Sequence, residues 1–161
     1  MKRSLLGALA VLSSTAIAAD SVQLKPGRWI ETAVPDWITI SGTAVPLPSK
    51  DPQTKHVCLT EAEAADPKLY FATIKDKDRC GVPTGDVAAG KIALIGSCVT
   101  DGAKDTSSQI AIDGSYGGER YSANAKMNAD MDGKPMVVML SIEGRFDGAC
   151  RGDEEKRSEA K

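Results

Sequence analysis

The chain has 161 residues, 42% hydrophobic but only 4% aromatic, with 20 Lys and Arg against 22 Asp and Glu and a formal net charge of −2. A slight acidic excess with scattered lysines excludes a nucleic-acid binder, whose partner's phosphates demand a clustered basic surface. The length suits one domain, burying roughly two-thirds of the surface that its unfolded chain exposes.

Residues 1–19 have the three parts of a secretory signal. Lys2 and Arg3 give a positive start, Leu5 to Ile17 are apolar or small, and Ala16-Ile17-Ala18 supplies the small-x-small site, so cleavage is expected after Ala18 or Ala19. The apolar run is shorter than the roughly 20 residues that span a bilayer, and Ser13-Ser14-Thr15 weakens it as an anchor. No cysteine follows the cleavage region to carry a lipid, and no later apolar run reaches membrane length. Loss of Lys2 and Arg3 takes the net charge from −2 to −4. The expected product is a soluble protein of an oxidising compartment, most simply a bacterial periplasm. Its domain is residues 20–150, followed by a charged, flexible tail at 151–161.

Along the mature chain, Pro35, Pro46, Pro48 and Pro52 mark an irregular excursion from Pro35 to Pro52. Thr60-Glu61-Ala62-Glu63 reads as a capping box, in which the Thr60 hydroxyl accepts from the Glu63 N–H and the Glu63 side chain reaches back. Pro67 limits that helix to about two turns, because the residue before a proline avoids helical angles. Cys80 to Cys98 reads as a hairpin with Ala88-Ala89-Gly90 as a three-residue loop and Gly90 in the left-handed position. That register pairs Val87 with Lys91 and sets Cys80 opposite Cys98. Pro83 then falls opposite Ile95, where a ladder N–H is wanted, so an edge or bulge is expected there.

Asp101 to Asp105 is a polar turn cluster, and beyond it two turns fix a meander. A turn at Asp132-Gly133 sets Met127 opposite Val138, Ala125 opposite Leu140 and Ala123 opposite Ile142. Another at Gly117-Gly118 sets Ala123 opposite Ile112 and Ala125 opposite Ile110. Both place Ile110, Ile112, Ala123, Ala125, Met127, Val138, Leu140 and Ile142 on one face, with Asn124, Lys126 and Asn128 on the other. Val137 and Met139 fall on the polar face, which points to partial cover there by the helix or by curling of the sheet.

All four cysteines lie beyond the signal. An even count in an exported chain points to disulfides rather than to metal or redox chemistry. Of the three connectivities, the hairpin favours Cys80–Cys98 as a non-hydrogen-bonded pair, leaving Cys58–Cys150. No Cys-x-x-Cys is present for redox work.

The remaining motifs carry no chemistry. His56 is the only histidine, so His56-x-Cys58 lacks further ligands for a metal and a serine triad lacks its elbow. Asn128 to Gly133 opens like a calcium loop, but Met139 stands where a bidentate glutamate is required, so a hairpin turn is expected. Arg151-Gly152-Asp153 is read as solvated tail. Glu61, Glu63 and Asp66 serve the helix start. No catalytic residue, cofactor or metal ligand is assigned.

Several stretches together resemble the exported Gram-negative domain-of-unknown-function family numbered 3617. They are Lys25-Pro26-Gly27-Arg28-Trp29, Val57-Cys58-Leu59-Thr60, Asp78-Arg79-Cys80, Gly96-Ser97-Cys98 and Gly144-Arg145-Phe146-Asp147-Gly148-Ala149-Cys150. The resemblance runs from Leu24 to Cys150. It implies a small periplasmic β-rich domain and no catalytic residues.

The expected fold is a mainly β, curled antiparallel meander of six to eight strands, half-barrel or barrel-like, with one short helix and two disulfide staples. The leading function is a non-enzymatic binding or envelope-associated module, whose partner is an envelope protein or cell-wall component. The alternative is a carrier of a small apolar ligand or lipid within the curl, for which Gly96, Gly114, Ala123 and Ala125 leave room. An enclosed apolar pocket of roughly 300 Å³ or more would distinguish the carrier.

Overall fold

Alternating sequence becomes eight antiparallel strands in a computed structural model that describes residues 22–72, 80–99 and 107–154. The signal segment, the 101–105 turn cluster and the tail beyond 154 lie outside the described residues. The strands are β1 (Gly27–Ile40), β2 (Thr43–Val45), β3 (Gln53–Leu59), β4 (Thr84–Ala88), β5 (Lys91–Val99), β6 (Ser107–Gly117), β7 (Arg120–Met131) and β8 (Lys134–Gly148). They form one sheet in the order β2-β1-β8-β7-β6-β5-β4, and its ends do not pair. β1 is long enough to share its outer edge: β3 pairs with Gly27–Ala33 and β2 with Ile38–Ile40. The fold is thus mainly β, curled and unclosed.

The turns set the register. At Asp132-Gly133 both residues have positive φ, 54° and 76°, as a two-residue hairpin turn needs, and Met127 pairs with Val138 as expected. The β6–β7 turn is Gly118-Glu119, one residue later than expected, because Gly117 pairs with Arg120. Ala123 therefore faces Gly114 rather than Ile112, and Ala125 faces Ile112. A two-residue slip keeps every side chain on its face, which is why the apolar face survives the error.

The β4–β5 loop is also shorter than expected. Ala88 pairs with Lys91 across Ala89-Gly90, with φ of 49° and 77°, so Val87 faces Ile92 and not Lys91. Cys80 nonetheless faces Cys98 in an isolated bridge. Three residues, Gly81 to Pro83, stand against two, Gly96 and Ser97, and this bulge restores the one-residue difference.

Two short helices replace the single expected one: α1 (Glu61–Ala65) and α2 (Pro67–Phe71). Thr60 and Glu63 form the capping box that starts α1. Pro67 ends α1 but also opens α2, since a proline at the first helical position loses no needed N–H and Asp66 caps the Lys68 N–H. The helices lie against the inner face, the one carrying Trp29, Val57, Ile92, Leu94, Tyr121 and Ala123 in the core. They therefore do not cover Val137 and Met139. Those two lie on the outer face, where Met139 pairs with Trp37 beyond a β-bulge at Pro35/Trp37.

Cys58 is bonded to Cys150 and Cys80 to Cys98, with Cα separations of 5.6 and 3.9 Å. Because β1 lies between β3 and β8, the Cys58–Cys150 bond ties strands that do not pair with each other. Residues 151–154, read from sequence as solvated tail, return over Arg28. Its side chain is only 5% exposed, with Asp147 at 3.4 Å and Asp153 at 3.3 Å. Glu154 accepts from the Arg151 and Gly152 N–H groups and closes that turn.

Candidate functional site

One row of paired residues crosses the inner face as Lys55, Glu31, Gly144, Tyr121 and Tyr116. Gly144 decides what this row does. A Cβ there would lie 2.0 Å from Tyr121 Cε1, so only a glycine lets the Tyr121 ring lie across β8 toward β1. The Tyr121 hydroxyl then donates a short hydrogen bond to Glu31 Oε2, and the Tyr70 hydroxyl donates to the same oxygen at 2.7 Å. Lys55 Nζ closes an ion pair on Glu31 Oε1. Trp29 stacks on Tyr121 with centroids 5.6 Å apart, and Phe71 meets it edge-on at 5.1 Å.

Burial alone would raise the Glu31 pKa, but the hydrogen bonds from Lys55 and Tyr121, the Lys55 charge and the Tyr70 bond outweigh it, and the net direction is down from 4.5. Burial first, then Tyr70 and the Glu31 charge, holds the Tyr121 phenol far above its ordinary value and keeps it protonated. A depressed carboxyl contributes stability that is present above its unfolded pKa and lost as pH falls through the folded one. The domain is therefore expected to weaken below about pH 4.5, and Glu31→Gln to flatten that acid limb. Urea midpoints between pH 2 and 6 at high salt, which screens the exposed Lys25–Glu119 pair, check this. An unchanged slope in Glu31→Gln would assign the acid loss elsewhere.

The outer face carries a different surface. A depression of about 450 Å³ lies over β1, β6, β7 and β8, walled by Thr32, Ser115, Arg120, Ser122, Glu143 and Arg145. A second, of about 220 Å³, adjoins it and adds Asn124 and Ser141. On the inner face, the cavity lined by Phe71, Pro83, Leu94, Gly96, Ile110 and Ile112 holds about 100 Å³.

Residues 24–150 match the family described as "Protein of unknown function (DUF3617)". The chain belongs to that family. No curated protein and no solved structure matches it. In this family member the opening and closing stretches of the resemblance meet as paired ends of β1 and β8. Arg28 faces Gly148 and Trp29 faces Phe146. The Trp29 indole donates to the Lys25 carbonyl at 2.9 Å, while Lys25 Nζ pairs with Glu119 and sits 5.3 Å over the Phe146 ring. Gly27, at φ 130°, lets Gly148 O approach where a Cβ would stand 2.4 Å away. These motifs clasp the two strands together.

The other singled-out residues scatter. His56 lies on the outer face of β3, opposite Ile30, and Cys58 beside it is disulfide-bonded. Asp130 Oδ1 accepts from the Gly133 N–H at 2.6 Å, as part of a hairpin turn. Glu63 and Asp66 cap helices. Gly96, Gly114, Ala123 and Ala125 do lie on the inner face, but Gly114 packs directly on Ala123, where an added Cβ would come within 2.8 Å. Glu31, Lys55, Tyr70, Arg120 and Arg145 were not assigned a site role from sequence. One signal was available: the Asp132-Gly133 register, continued along β7 and β8, already sets Tyr121 opposite Gly144 and Arg120 opposite Arg145.

Proposed function

We propose that this protein is an exported, periplasmic, non-enzymatic binding module whose working surface is the outer face of its sheet, and whose partner is an envelope protein or cell-wall component. One observation carries the reading. The roomiest depression given above is open, lies on the outer face and sets charged and hydroxyl-bearing residues beside Ile30, whereas the inner-face cavity described above, of about 100 Å³, is a third of what a small-ligand carrier needs. The chemistry of the inner cluster supports it too. Glu31 is committed to Lys55 and two phenols, so its carboxylate has no call on a substrate. Export is supported by the signal-like start and by two disulfides. Native mass spectrometry of protein purified from its own periplasm tests the reading. The expected spectrum shows the mature chain, starting at Ala19 or Asp20, alone or with a polar component. A stoichiometric lipid or acyl species that stays bound when the outer-face depression is filled by Ser122→Trp would overturn it in favour of the carrier.

A further inference from the structure

We propose that Arg120 and Arg145 are the anion-binding pole of the outer-face depression, and that its ligand presents an oxyanion, a phosphate or carboxylate group, to them. This rests on the outer face being the working surface. The two residues are directly opposite in the β7–β8 ladder, on the same face. Like charges so placed repel, and among the described residues neither side chain has a carboxylate within ion-pair distance. Four arginines stand among the described residues. Arg28 and Arg151 both have carboxylate partners, whereas the side chains of Arg120 and Arg145 make neither a hydrogen bond nor an ion pair. Arg120 exerts a through-space pull on its neighbour Glu119, but that carboxylate is already paired with Lys25. Glu143 stands opposite Ser122, one row away from the arginines.

The closing stretch of the chain sharpens the contrast. Gly144 admits the Tyr121 ring, Phe146 packs on Trp29, Asp147 forms an ion pair with Arg28, Gly148 receives Gly27, and Cys150 bonds Cys58. Arg145 has no such task. Arg145 and Arg120 instead line a depression of about 450 Å³, whose other walls include Thr32, Ser115 and Ser122 as well as Ile30. Guanidinium groups stay charged at any relevant pH, and their forked donors match the paired oxygens of carboxylate and phosphate. Each arginine is also adjacent in sequence to a residue of the pinned inner row, Tyr121 or Gly144, so the backbone that carries both is held from behind. Glu143, on the same wall, disfavours anionic charge at that end and gives the site a direction.

The test is titration of inorganic phosphate, and separately of succinate, into isotope-labelled mature protein, read at the arginine Nε–H signals and the amides of Ser122 and Arg145. The expected result is a saturable shift with at least one anion. Its affinity should fall at least tenfold in Arg120→Gln/Arg145→Gln, whose thermal midpoint is unchanged or raised. Co-sedimentation with phosphatidylglycerol vesicles, lost in the double variant, would identify a lipid headgroup as the source. Saturable shifts without sedimentation would identify a soluble or cell-wall anion. Shifts that never saturate, or that persist in the double variant, would overturn the proposal. Ser122→Trp separates the two readings, because it fills the depression and leaves both arginines in place. A native component lost in Ser122→Trp but kept in the arginine variant refutes the anion assignment alone. Retention in both refutes the outer-face reading as well.

Discussion

Gly144→Ala is expected to destabilise the domain by about 3 kcal/mol, at the upper end for overpacking a core. The added carbon would lie 2.0 and 2.1 Å from Tyr121 Cε1 and Cζ, well inside contact distance. The ring has little room to move: Trp29, Tyr70 and Phe71 surround it, and its hydroxyl is held by Glu31. Gly144 does not have a positive φ, so the cost comes from space and not from backbone strain. Gly117→Ala is the control, since a Cβ there meets nothing within 4 Å. Urea unfolding of the single variants and of Gly144→Ala in a Tyr121→Ala background checks the argument. With the ring gone, the alanine should cost little. A cost that simply adds in the double variant would show that the ring is not the obstacle.

Removing the outer disulfide should be the second large effect. Cys58→Ala/Cys150→Ala is expected to lose between about 4 and 5 kcal/mol, against about 3 kcal/mol for Cys80→Ala/Cys98→Ala, on the chain-entropy account. The difference follows from loop length, with sequence separations of 92 and 18. The outer bond also anchors the segment that returns over the buried Arg28, so its loss should expose that charge. Cys150→Ala alone should be worse in the cell than the double variant, because it frees Cys58 to form wrong bridges. Equilibrium unfolding ranks the variants, and non-reducing peptide mapping tests the bonds. A fragment joining Cys58 to Cys80, or Cys98 to Cys150, would overturn the pairing, and an inner pair worth more than the outer would overturn the loop-length argument.

The meander was legible because its evidence is local. Asp132-Gly133 carries its own turn chemistry, and the register it sets holds along β7 and β8 from Met131 to Arg120. The α1 cap was legible for the same reason, as Thr60 and Glu63 are three residues apart. Errors fell where local signals were degenerate. Gly117-Gly118 and Gly118-Glu119 both offer a glycine, and Ala88-Ala89-Gly90 hid a two-residue turn whose Ala89 takes a positive φ. The helix count failed because Pro67 both forbids helix before itself and favours helix after.

By itself, the sequence determined the antiparallel β class, the even cysteine count and which residues share a face. Those properties follow from period-two alternation, cysteine parity and turn residues, all of which act over a few positions. Only the tertiary structure decided that Glu31 meets Lys55, Tyr70 and Tyr121, residues 24 to 90 positions away, and that Ser115, Ser122 and Thr32 share a wall with the two arginines. Contacts at such separations depend on strand order and on the curl of the sheet. They are set by what the core must bury, with Trp29 and Tyr121 at its centre, and no short window of sequence contains that balance.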